Sequence, residues 1–167
     1  MTVRDAILLA IPVFAAHVRG GLSDIRAGLE GAGIPPMLAA EIVEFLPVAL
    51  ARAMLDGMEI RFADYYVRQT SQGRVIGQKL LSDEPVYREG LAIAAEISGL
   101  GELEFMAVAG FSPEYRAVRQ AMNSGFPAGD IELGPLVLLA NDGDRRTFDD
   151  TSGGQQPRAK SWWQLWK

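Results

Sequence analysis

The chain has 167 residues, enough for one domain with a core of its own and no metal or disulfide staples. Hydrophobic residues make up 49%, which excludes a globally disordered chain. The formal charge of -5 repels nucleic-acid phosphates, and no run of Lys and Arg offsets it, so no nucleic-acid partner is expected. Cys is absent, so thiol nucleophiles, thiolate metal sites and disulfides are excluded.

Thr2 with Asp5 three residues later is a helix start, hydroxyl and carboxylate each satisfying a free backbone donor. The helix is predicted to run to about Val18, bent at Pro12 and ended by Gly20 and Gly21. Residues 6–18 match the apolar part of a signal peptide in length, but Asp5 weakens the positive leader. They are also short of the roughly 20 apolar residues that span a bilayer. A buried first helix and a cytoplasmic location are the expectation. Ser23 is predicted to cap a short second helix with Ile25 and Leu29 on one side, closed by Gly33 and the Pro35-Pro36 pair.

Residues 36–56 form the stretch around which the chain is organised. At 3.6 residues per turn Ala39, Val43, Leu46, Leu50 and Met54 share one stripe, while Glu41, Glu44, Arg52 and Asp56 lie opposite. Phe45, Val48 and Leu55 interrupt that polar side, which implies a helix buried on two sides and touched by several elements. Pro36 suits the first turn and Gly57 the left-handed cap. Pro47 removes a hydrogen bond from the middle, so a kink, or two shorter helices meeting at Leu46, is predicted.

After Gly57 the period changes. Met58, Ile60 and Phe62 alternate with Glu59 and Arg61, as in a half-buried strand. The alternation slips at Ala63. Residues 70–73 are a turn and residues 74–81 a second strand, so a hairpin is predicted. A helix over residues 58–69 is the alternative, since Phe62, Tyr66 and Gln69 also align. Asp83, Glu84 and Pro85 open a mostly buried helix to Ser98. Residues 102–110 alternate like a buried strand, though a short core helix has the same look. Ser112-Pro113-Glu114 starts an amphipathic surface helix with the apolar stripe Tyr115, Val118 and Met122. Residues 131–140 read as a last strand, confined to an edge by Pro135.

These elements add up to an α+β fold: a helical N-terminal half packed on a small mixed β-sheet with two further helices. All-α is the runner-up if the strands at 58–81 and 102–110 are misread. Residues 1–140 are expected to form one globular domain, 141–161 a polar linker and 162–167 a Trp-rich segment.

Groups for catalysis are sparse. His17, the one histidine, sits in the first helix, where a structural role outweighs a general base lacking partners. No G-x-S-x-G occurs. Gly73 to Lys79 has the wrong spacing for a phosphate loop, and Gly99-Leu100-Gly101 follows a helix, against a dinucleotide fingerprint. The acids Asp56, Glu59, Asp64, Asp83, Glu84, Asp142, Asp144, Asp149 and Asp150 fit surface charge and helix capping better than a cation site. No cofactor and no metal are expected. The polar set with most promise is Arg61, Asp64, Tyr65, Tyr66 and Arg68, because Tyr and Arg supply contact area and directional donors at binding surfaces.

The sequence closes on SWWQLWK, with all three tryptophans at Trp162, Trp163 and Trp166. Leaving three indoles in water is costly. The segment either folds back onto its own domain, docks into a partner or neighbouring subunit, or inserts at a membrane surface, in that order of preference. The expectation is a non-enzymatic interaction protein — adaptor, inhibitor or immunity type — with a protein partner or self-association and no membrane embedding. A small-molecule or lipid-binding domain, and an enzyme using Asp64 with Tyr65 or Tyr66, are the rivals.

Overall fold

The computed structural model describes residues 1–96, 102–125 and 131–140. They are α+β, as the residue pattern predicts. The chain divides into two compact units, residues 1–58 with 84–128 and residues 59–83 with 129–167. Every helix longer than a single turn among the described residues lies in the first unit, and every strand in the second.

The first unit contains α1 (Val3–Ala16), α2 (Leu22–Gly31), α3 (Pro36–Leu55), α4 (Pro85–Glu96), α5 (Glu102–Ala109) and α6 (Pro113–Asn123). The capping box at α1 forms as expected: Thr2 Oγ1 accepts from the Asp5 N–H at 3.1 Å and Asp5 Oδ2 accepts from the Thr2 N–H at 3.1 Å. The Thr2 hydroxyl, donating to Asp5 Oδ2 at 2.7 Å, and the Thr2 N–H hold the Asp5 carboxyl below its ordinary range. Helix α1 stops at Ala16, two residues earlier than predicted, because His17 caps it. The second helix is capped by Gly21 rather than Ser23, with the Asp24 carboxylate accepting from the Gly21 N–H at 3.0 Å.

Helix α3 packs against all five of the other helices. It is one helix through Pro47, so the expected division at Leu46 does not occur. An interior proline costs about 3 kcal/mol. Every residue from Phe45 to Arg52 is buried, and each large apolar side chain so placed returns about 1.5–3 kcal/mol. Burial therefore outweighs the lost backbone bond. That burial takes in the whole circumference of the helix there. Helix α4 comes very close: a Cβ on Gly90 would stand 2.9 Å from Ala49 Cβ and 3.1 Å from Leu46 Cδ1.

Residues 102–109 are helical, which corrects the strand reading and raises the further helices from two to three among the described residues. Leu, Met and Ala are good helix formers, and α5 buries Val108 and Ala109 while packing on α1 and α3. A two-residue period and an eight-residue core helix are hard to tell apart. In α6 the Ser112 hydroxyl accepts from the Tyr115 N–H at 3.4 Å, as the cap signal predicts. Its buried face, however, is Glu114, Tyr115, Ala117, Val118 and Ala121, and Met122 is exposed.

The second unit holds β1 (Ile60–Phe62), β2 (Tyr65–Thr70), β3 (Val75–Leu80), β4 (Ile131–Leu133) and β5 (Leu136–Ala140), with a 3-10 turn at Leu81–Asp83. The predicted hairpin is β2–β3. Its loop closes through Gly73 N–H to the Thr70 carbonyl at 2.9 Å, with Gly73 at φ +80, a conformation glycine takes without strain. The helical alternative for residues 58–69 is thereby overturned. Ile76 is the extra residue where the ladder shifts at Arg68/Gln69. Strand β4 pairs with β1 and β5 with β2, both in parallel. The pairing slips by one residue between the two ladders, where Ala63-Asp64 and Gly134-Pro135 break the strands. The interruption in alternation at Ala63 marks the first break, and the absent N–H of Pro135 the second. Strand order β3-β2-β5 puts β5 at an edge, as Pro135 implies.

Candidate functional site

In the first unit His17 and Arg4 serve structural contacts. His17 Nδ1 lies 2.8 Å from the Val13 carbonyl oxygen. A carbonyl only accepts, so Nδ1 carries the proton. The ring thus ties down the end of α1 beside Gly28 of α2, whose Cα would carry a Cβ only 2.9 Å from Val13 Cγ1. Arg4 joins α1 to α4 through Glu89, at 2.9 Å, and Glu96.

A buried polar cluster was not foreseen from the residue pattern. Arg52 of α3 donates to the Tyr87 hydroxyl of α4 at 3.1 Å and to Glu114 Oε1 of α6 at 3.3 Å, and its guanidinium stands 5.7 Å from the Tyr87 ring centroid. Burial pushes the Glu114 carboxyl above its ordinary range, against the pull of Arg52. Glu114 reads in sequence as a first-turn acid facing the helix dipole. The available signal was Arg52 itself: a cation amid ALARAML on an otherwise apolar turn needs a buried anion.

In the second unit the strand registers sort side chains onto two faces of the β3-β2-β5 sheet. One face carries Tyr66, Arg68, Leu136 and Ala140, all buried, with half-buried Thr70 and Leu138 and the exposed Lys79 beside Tyr66. The other carries Tyr65, Val67 and Gln69 on β2, flanked by Leu80, Gln78 and Val75 on β3 and by Val137 and Leu139 on β5. Its rim is open: Val75 is 45%, Leu80 52% and Leu139 68% exposed, while Val67 at the centre is sheltered. Not one of these eight residues is charged, in a chain where 22% are. Gln69 faces Val75 on one side and Leu139 on the other, so the two exposed apolar side chains flank one glutamine.

The predicted polar set is therefore divided. Tyr65 belongs to the open face. Tyr66 and Arg68 lie on the buried face. Arg61 is exposed on β1 opposite Glu132 of β4, an opposite-charge cross-strand pair. Asp64 is exposed in the break between β1 and β2, and its carbonyl accepts from the Leu81 N–H at 2.9 Å. Tyr65 and Tyr66 point to opposite faces, so Asp64 cannot work with both. Trp162, Trp163 and Trp166, with Asp142, Asp144, Asp149 and Asp150, lie outside the described residues.

Val75, Leu80 and Leu139 were missed because strands apolar at both parities do not say which side is covered. Among the described residues no group of three or more acids or histidines could hold a metal ion, and no helix is long and apolar enough to cross a membrane. No known protein family, curated protein or solved structure matches the chain.

Proposed function

We propose that the protein is a non-enzymatic interaction protein that binds another protein through the open face of the β3-β2-β5 sheet. The observation that supports this is the uncharged, apolar composition of an exposed sheet face with a tyrosine at one end. Exposed apolar surface of this kind marks interaction sites, because water is released when a partner covers it. Tyr65 adds contact area and a hydroxyl at low entropic cost. The two glutamines supply hydrogen bonds without the desolvation cost of ions.

The test is affinity capture with chemical crosslinking, using the full chain and a Leu80→Asp/Leu139→Asp variant. A stoichiometric partner recovered by the wild type is expected to be lost, by tenfold or more, on placing two carboxylates in the face. A Leu103→Asp variant, changed at an 82% exposed position on α5, is expected to keep it. Equal recovery by all three proteins would remove the sheet face from the interaction.

A further inference from the structure

We propose that residues 162–167 are the built-in occupant of this open sheet face, so that a partner must displace them; this rests on the reading of the face as a binding surface. The face is free of charge, and five of its eight side chains are aliphatic. Of the chain's residues outside those described, the run with Trp162, Trp163, Leu165 and Trp166 has the most apolar surface to cover. An indole can lie on such a face without stripping water from an ion.

The point of departure supports the assignment. The described residues end at Ala140, the last residue of β5, paired with Thr70 of β2. This is the end of the sheet where Leu139 and Val75 are exposed on the open face. Residues 141–161 connect it to the tryptophans. A chain of that length spans about 25 Å as a random coil, and the strands of the sheet are about 20 Å long. The whole face is within reach. Tethering gives an effective concentration on the order of millimolar, so even a weak contact is filled.

All three tryptophans lie in this segment, so intrinsic tryptophan emission of the full chain reports on it alone. The wild type is expected to emit blue-shifted from free tryptophan, unchanged on hundredfold dilution. Val75→Lys and Leu139→Lys, both at exposed positions, are expected to shift emission to that of free tryptophan. Leu103→Lys is expected to leave it alone, and circular dichroism checks that each variant is folded. Solvent-like emission in the wild type, or a blue shift indifferent to the face variants, would overturn the assignment. So would a blue shift that fades on dilution, which identifies a second copy as the occupant. Partner loss in Leu80→Asp/Leu139→Asp alongside solvent-like indoles would sink this inference and leave the partner-binding face standing. Blue-shifted, face-dependent indoles with undiminished capture would do the reverse.

Discussion

Glu114 is a carboxyl held away from water, and its position makes one contribution to stability depend on pH. Its folded pKa is raised by burial, so the folded state binds its proton more tightly than the unfolded one. The stability gained from that proton is fully present below the ordinary carboxylate range and is lost as pH rises through the folded value. Glutamine keeps the acceptor for Arg52 and never ionises. Denaturant unfolding of the wild type and Glu114→Gln across a pH series is therefore expected to show the wild type gaining on the variant as pH falls from neutral towards 4.5. A difference that stays constant with pH would mean that Glu114 titrates alike in both states. Glu114→Ala removes the anion and leaves the guanidinium of Arg52 buried, and a loss of about 3 kcal/mol is expected from the same measurement.

Packing between elements sets the next constraint. Alanine at Gly90 gains about 1 kcal/mol of helix propensity, but its methyl would meet Ala49 Cβ at 2.9 Å, an atom with no torsion by which to move aside. Overpacking costs about 1–3 kcal/mol, so Gly90→Ala is expected to lower the thermal midpoint. The hairpin carries a similar constraint of a different kind. Gly73 sits at φ +80, and Gly73→Ala is expected to destabilise by about 1 kcal/mol through backbone strain alone, seen as a shift in denaturant midpoint. Elements with a local signature were legible in sequence: the Thr2/Asp5 box, the Ser112-Pro113 start, the 70–73 turn and the break at Ala63. The nature of residues 102–109 was not, because tertiary packing on α1 and α3 decides between two periods that eight residues cannot separate. The pairing of Arg52 with Glu114 was not legible for a related reason: they stand far apart in the chain, and the pair exists only once α3 and α6 have met. On the sheet, alternation alone sets Tyr65 against Tyr66 and Arg68, but only the register and burial show which of the two faces is covered.

At the scale of the whole molecule, the helical unit and the sheet unit are interleaved along the chain. The second segment of the helical unit separates β2 from the strand that lies beside it. Parallel partners cannot be joined by a tight turn, and here the crossover from Thr70 to Leu136 includes α4, α5 and α6. During synthesis, β1, β2 and β3 leave the ribosome with only the hairpin ladder available. The ladder to β4 must wait for residue 133 and the ladder to β5 for residue 140. A stalled chain ending at residue 125 is expected to show slow amide exchange in α3 and fast exchange along the β5-facing edge of β2. Protection of that edge before β5 exists would show that another strand can take its place. The sheet is thus a late seam, stitched when the two ends of a long detour meet, and the order of translation determines when it can close.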